Sequence, residues 1–226
     1  MDDRWIVIVL TNAAQFQPPT KNLFILPKIG IIILAAGASR RMGTPKQLLK
    51  IGQQTLLERT IVLTKNLLNQ KTVVVLGANA STIRRALTTE SGVAITINED
   101  WEKGMGTTLK KGMEYFSTKK EVFDAVMVLV CDQPYLTTEI LQLLINKYIA
   151  IKSNIVASKY AGVKGVPAIF SKQLFPQLAT LHQDEGARKI IKKYQGLIAT
   201  VDFPGGEIDL DTPAAYQAFL EKYKEA

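Results

Sequence analysis

The densest chemistry in the chain lies in ten residues, Gly-Ala-Ser-Arg-Arg-Met-Gly-Thr-Pro-Lys, running from Gly37 to Lys46. They follow an apolar run that ends at Leu34 and two small residues, Ala35 and Ala36. Small side chains let a ligand come close to the backbone, and glycine permits turns that aim successive N–H groups at an anion. Arg40, Arg41 and Lys46 then place three cations within seven positions. Bonds from such cations to phosphate oxygens are charge-assisted and strong, so the stretch suits a polyphosphate. Two familiar phosphate loops do not fit. A P-loop needs a second glycine five positions after the first and Lys followed by Ser or Thr, but here Met42 and Lys46-Gln47 occupy those positions. A dinucleotide fingerprint needs Gly where Ser39 stands.

Carboxylates supply the complementary chemistry. Asp132 comes just after the apolar run at 126–130, and Asp209 and Asp211 lie in Glu-Ile-Asp-Leu-Asp-Thr-Pro near the C-terminus. Carboxylate oxygens are hard ligands suited to Mg2+. In an extended segment Asp209 and Asp211 face the same side, and Asp211 adjoins a helix start. Taken singly, Asp132 reads as a turn residue before Pro134 and Asp211 as support for a cap at Thr212. One histidine, His182, and one cysteine, Cys131, cannot build a zinc site.

These residues must be positioned by strands and helices in alternation, the pattern of a layered α/β domain with a largely parallel sheet. Continuous apolar runs at 31–34, 73–76 and 126–130 read as strands covered on both faces. Shorter strands are expected at Val93–Ile97, 155–157 and 197–201. Thr55 caps a helix that buries Leu56, Leu57, Ile61 and Leu68; Ser81 opens a second, and 107–116 forms a third. Thr137 or Thr138 caps a fourth, 185–194 is a fifth, and Thr212-Pro213 begins the last. Gly162, Gly165 and Pro167 interrupt the alternation and predict a hairpin or insertion at the sheet edge, where a second substrate could sit. Ligands of open α/β sheets lie beyond the carboxyl ends of strands, which points to the loops after Leu34, Leu76, Ile97 and Val130.

Bulk properties narrow the classes. A chain of 226 residues that is 47% hydrophobic can bury an ordinary core without metal or disulfide staples. The net charge of +8 favours anionic partners, yet no basic tract carries the aromatic interleaving of a single-strand binder, so a nucleic-acid partner is not expected. No apolar run reaches the roughly 20 residues of a membrane span, so no membrane partner is expected either. The single cysteine fits a reducing cytoplasm. Residues 1–28 differ from the remainder, with Pro18-Pro19 breaking any regular element. They read as an accessory extension, with an added strand over 5–10 as the competing possibility, leaving 29–226 as the domain.

Thirteen residues from Leu34 to Lys46 resemble the Leu-Ala-Ala-Gly-x-Ser-x-Arg-Met-Gly-x-Pro-Lys hallmark of the MobA-like NTP transferase family, in the nucleotide-diphospho-sugar transferase superfamily. The wording is most similar to the branch that holds molybdenum cofactor cytidylyltransferases. Cys131-Asp132-Gln133-Pro134 resembles the family's Gly-Asp-Gln-Pro, and 207–216 its closing Asp-Ile-Asp-Thr-Pro segment. The resemblance implies a three-layer α/β/α Rossmann-like fold with a mostly parallel mixed sheet, and Mg2+-dependent transfer of a nucleotide from an NTP to a phosphorylated acceptor. CTP is the preferred donor, with GTP possible, and molybdopterin the preferred acceptor, with a molybdoenzyme as a possible protein partner. It implies Arg41, Lys46 and Asp132 as catalytic residues and Asp132, Asp211 and Asp209 as metal ligands. Leu34, Ala35, Ala36, Gly37, Ser39, Arg41, Lys46, Gly77 and Asp132 are implied at the nucleotide, and Gly165, Pro167, Asp184 and Arg188 at the acceptor. Asn98, Trp101, Gly104 and Thr108 resemble a further family segment. A sugar-phosphate or other alcohol-phosphate nucleotidyltransferase, and a non-catalytic protein that delivers nucleotide or cofactor, are the alternatives.

Overall fold

The computed structural model describes residues 26–67, 70–87, 93–183 and 185–224. Leu68, Asp184 and the strand possibility at 5–10 lie outside them. In chain order the elements are β1 (Ile29–Ala35), β2 (Lys50–Ile51), β3 (Gln54–Thr55), α1 (Leu56–Lys65), β4 (Gln70–Leu76), α2 (Ala80–Ala86), β5 (Val93–Ile97) and α3 (Met105–Ser117). There follow β6 (Ala125–Val130), α4 (Thr138–Ile151), β7 (Ile155–Tyr160), β8 (Val163–Ser171), α5 (Phe175–Ala179), α6 (Ala187–Lys193), β9 (Ala199–Asp202) and α7 (Pro213–Lys224).

Seven strands form one sheet in the order β5-β4-β1-β6-β8-β7-β9. Only β8 runs against the others: it pairs antiparallel with both β6 and β7, whereas β5, β4, β1 and β6 pair in parallel, as do β7 and β9. Strand periodicity builds the layers. Ile29, Ile31 and Ile33 of β1 face one core with Leu57, Ile61 and Leu141, while Ile32 and Leu34 face a second core with Leu109, Phe116 and Ile190. Helices therefore cover both faces, giving the expected three-layer α/β/α, Rossmann-like arrangement. Each wholly buried Ile or Leu of β1 contributes on the order of 1.5–3 kcal/mol of transfer free energy. A third small cluster, Ile51, Leu56, Leu210 and Phe219, fastens α7 and the short β2–β3 hairpin to the body.

Side-chain caps set three of the helix starts. Thr55 accepts from the Glu58 N–H and the Glu58 carboxylate accepts from the Thr55 N–H, a complete capping box. Thr137, not Thr138, caps α4, and the Thr212 hydroxyl accepts from the Ala215 N–H at 3.2 Å. Helix α3 begins two residues earlier than its threonines imply, because Thr107 turns its hydroxyl onto the Gly104 carbonyl at 2.8 Å. The hairpin around Gly162 is present, but not at the edge of the sheet. It forms β7 and β8, which lie inside the sheet because β9 pairs with β7 and closes that side. A register shift between Ala157 and Ser158 accommodates the bend. Among the described residues, no helix is long and apolar enough to cross a membrane.

Candidate active site

The cleft lies at the carboxyl ends of β1 and β6, where the open-sheet rule puts a ligand. It holds about 410 Å3 and is lined on one side by 34–40, on another by Trp101 and Met105, and at its floor by Cys131 and Asp132.

The loop after β1 is braced from within. Gln47, wholly buried, donates from its side-chain amide to the carbonyls of Ala35 at 2.8 Å and Gly37 at 3.0 Å. Ser39 takes φ 53°, a left-handed conformation that brings its hydroxyl under the Lys46 N–H at 2.9 Å. Carbonyls are thus tied back. Among the described residues no protein acceptor takes the N–H groups of Gly37, Ala38 or Ser39. This is the arrangement that a strand-to-helix loop needs in order to present donors to an anion.

Lys46 joins three distant parts of the chain. Its ammonium donates to Asp132 and, at 2.6 Å, to Oδ1 of Asp211; the other oxygen of Asp211 accepts from Arg41 at 2.8 Å. The side chains of Lys46 and Asp132 are only 18% and 16% exposed, that of Asp211 30%. Burial opposes the charge on Lys46, but the carboxylates outweigh it and hold its pKa above the ordinary lysine value. Burial likewise raises Asp211, and Lys46 with Arg41 overcomes it and leaves that carboxyl below its usual range. Asp209 is raised, by burial first and then by the neighbouring Asp211 and Asp132. Cys131 is pushed up to about 12 by burial and by Asp132, so its thiol stays protonated.

Asp211 reaches this centre through contacts that lie outside its own segment. The buried Gln133 side chain donates to the carbonyls of Gly206 at 2.7 Å and Val166 at 3.1 Å. The Leu210 N–H donates to the Asp132 carbonyl at 3.3 Å. Leu210 is wholly buried while Asp209 and Asp211 flank it outward, as alternation requires; only Asp211 bonds Lys46. Two oxygen ligands converging on one cation could hold a hard divalent ion, although no three His, Cys, Asp or Glu side chains cluster among the described residues.

Of the residues expected at a nucleotide, Leu34, Ala35, Ala36, Gly37, Ser39, Lys46 and Asp132 line the cleft. Arg41 and Gly77 do not: Arg41 turns to Asp211, and Arg40 lines the cleft instead. A Cβ on Gly77 would lie 2.5 Å from the Trp101 Cβ and 2.8 Å from that of Ala36, so this glycine makes room for the cleft wall. Asn98, 4% exposed, donates to the hydroxyls of Thr107 and Thr108 and accepts from the Asp100 N–H, which shapes the turn carrying Trp101.

Of the residues expected at an acceptor, Gly165, Pro167 and Arg188 lie outside the cleft, and Asp184 is outside the described residues. Gly165 packs against the Tyr160 hydroxyl, and Pro167 follows in β8 beside the end of β6. Arg188 is exposed on the first turn of α6, and the Gln183 carbonyl accepts from the Gly106 N–H, next to the cleft residue Met105, at 2.8 Å. Sequence reasoning missed the braces Gln47 and Gln133. The available signal was an amide side chain directly after a site residue, Gln47 after Lys46 and Gln133 after Asp132.

Comparison with known proteins agrees with this architecture. Residues 31–197 match the MobA-like NTP transferase domain. Nicotine blue oxidoreductase of Paenarthrobacter nicotinovorans is 30% identical over 78% of this chain and 88% of its own. Molybdenum cofactor cytidylyltransferase of Escherichia coli K12 is 26% identical over 87% of this chain and 98% of its own. The crystal structure of Rv0371c from Mycobacterium tuberculosis H37Rv, 29% identical, superposes with a TM-score of 0.76 over 86% of this chain and 98% of that one. The same protein has also been solved in complex with manganese. With the matched domain filling most of the chain and the cleft built from its first loop, this protein belongs to the MobA-like NTP transferase family and is a nucleotidyltransferase related to molybdenum cofactor cytidylyltransferase.

Proposed function

We propose that the chain transfers a nucleoside monophosphate, with CTP as the preferred donor, to the terminal phosphate of a small acceptor of the molybdopterin type, and releases pyrophosphate. The observation that carries this reading is the convergence of Lys46, Asp132 and Asp211, the first two of which line the loop cleft. An acceptor phosphate oxygen attacks the α-phosphorus as the bond to the β-phosphate bridging oxygen breaks. The nucleophile is already ionised at neutral pH, so no general base is required, in keeping with a site that lacks histidine.

The amides of Gly37, Ala38 and Ser39 cradle the phosphates, fixed by Gln47 and Ser39. Lys46 balances charge on the transferring group and the leaving pyrophosphate, with Arg41 held beside it through Asp211. Asp132 and Asp211 fit a divalent ion, Mg2+ in the cell, because their oxygens are hard and already share one cation; Asp209 stands outside that contact. Such an ion supplies Lewis-acid polarisation of phosphoryl oxygens. A 410 Å3 cleft lies within the roughly 300–1,000 Å3 range of small-ligand sites. The choice of CTP is supported by the Escherichia coli relative, and Gly165, Pro167, Asp184 and Arg188 are assigned to the acceptor side on the motif resemblance. Residues 29–226 form the catalytic domain in this reading, with 1–28 as an accessory extension.

The test is to incubate the purified protein with each of the four ribonucleoside triphosphates and Mg2+, with and without molybdopterin, and to measure pyrophosphate. Release that requires both CTP and molybdopterin supports the assignment. Release with a sugar phosphate in its place moves the acceptor to the alternative, and tight molybdopterin binding without turnover on any triphosphate indicates a delivery protein.

A further inference from the structure

The same lysine cannot serve the phosphates while it bridges the two carboxylates. Its backbone is fixed, since the Lys46 N–H is bonded to Ser39 and the adjoining Gln47 side chain is bonded to the loop carbonyls. Its four-carbon stem is free to swing, and it lines the same cleft as 34–39. Lys46 and Arg41 carry two positive charges and Asp132 and Asp211 two negative, so the bonded cluster is neutral as it stands. A dication entering alone would face the Lys46 ammonium between the very oxygens it needs, in a pair less than one-fifth exposed. A dication entering with a triphosphate brings several negative charges to which Lys46 can transfer.

We propose that Lys46 is an internal stand-in for the divalent ion: it holds Asp132 and Asp211 together in the empty enzyme and yields them only when a triphosphate offers its ammonium a new partner. The centre thereby discriminates against free metal and admits the metal–triphosphate complex. This inference rests on Asp132 and Asp211 being the metal ligands.

The test uses Mn2+, whose free ion is counted by electron paramagnetic resonance, and inorganic tripolyphosphate, which carries no base. Wild-type protein is expected to bind Mn2+ weakly alone and more tightly with tripolyphosphate. Lys46→Met should bind Mn2+ alone roughly tenfold more tightly than wild type, since it removes one positive charge at contact distance. It should also gain less from tripolyphosphate. Equal or weaker Mn2+ binding by Lys46→Met overturns the stand-in role if Asp132→Asn, made in the Lys46→Met background, still lowers binding. If Asp132→Asn changes nothing, the metal reading itself falls and takes this inference with it. A second measurement needs no variant. Mn2+ alone should leave the rate at which acetic anhydride acetylates Lys46 in wild-type protein unchanged, read by mass spectrometry, and Mn2+ with tripolyphosphate should change it as the ammonium exchanges partners. Acetylation that Mn2+ alone alters as much as Mn2+ with tripolyphosphate, or that neither alters, contradicts the proposal.

Discussion

The loop at 36–48 and the return segment at 203–211 meet at Lys46, yet they are held in opposite ways. The loop is self-supporting: Ser39, Lys46 and Gln47 brace one another and the carbonyls of Ala35 and Gly37 within about a dozen residues of chain. The return segment has almost no structure of its own. Gln133, the Asp132 carbonyl and the Lys46 ammonium hold it from 73, 78 and 165 positions away. One half of the centre is therefore determined locally and the other by the fold. The locally determined half should tolerate damage elsewhere, and the other half should not.

The largest break in this comparison is expected where the two halves share a charge. Asp132→Ala should lower metal-dependent pyrophosphate release by roughly a thousandfold or more, the equivalent of several kcal/mol of charge stabilisation. Lys46→Ala should cost roughly 2–4 kcal/mol of transition-state stabilisation, seen in kcat more than in KM. The cleft wall offers a stability test: Gly77→Ala sets a Cβ against Trp101 and Ala36, and should lower unfolding free energy in urea by about 1–3 kcal/mol.

The smallest expected effect separates the two halves by pH. In metal-free protein Asp211 has a folded-state pKa below its ordinary value of 3.8. Its contribution is then full above the unfolded pKa and declines as pH falls through the folded one. Asp211→Asn should therefore shift the urea midpoint downward at neutral pH and leave it nearly unchanged in strong acid. A shift independent of pH would mean that Asp211 acts through packing rather than charge.

The same division explains what could be read from the sequence. The buried parallel strands announce themselves as apolar runs, and Thr55 with Glu58 carries its capping box within four residues. Gly37 to Lys46 is likewise contiguous, so its chemistry and its family resemblance are both visible. The position of β8 is not local information. A hairpin containing Gly162 reads the same at an edge or inside a sheet, and only the later pairing of β9 with β7 decides it. Nor does alternation distinguish Asp209 from Asp211, since both point away from Leu210; the reach of Lys46 does so. The arginines show the same limit: the resemblance puts Arg41 at the nucleotide, whereas Asp211 takes it and Arg40 lines the cleft.

Direct evidence on the central claim would come from labelled CTP in the presence of the acceptor and Mg2+. If the acceptor attacks the α-phosphorus at the centre of Lys46, Asp132 and Asp211, label in the α-position must appear in the acceptor product and label in the γ-position in pyrophosphate. Both transfers must vanish in Asp132→Ala. Label leaving as inorganic phosphate from the γ-position, or transfer that survives Asp132→Ala unchanged, would contradict the account.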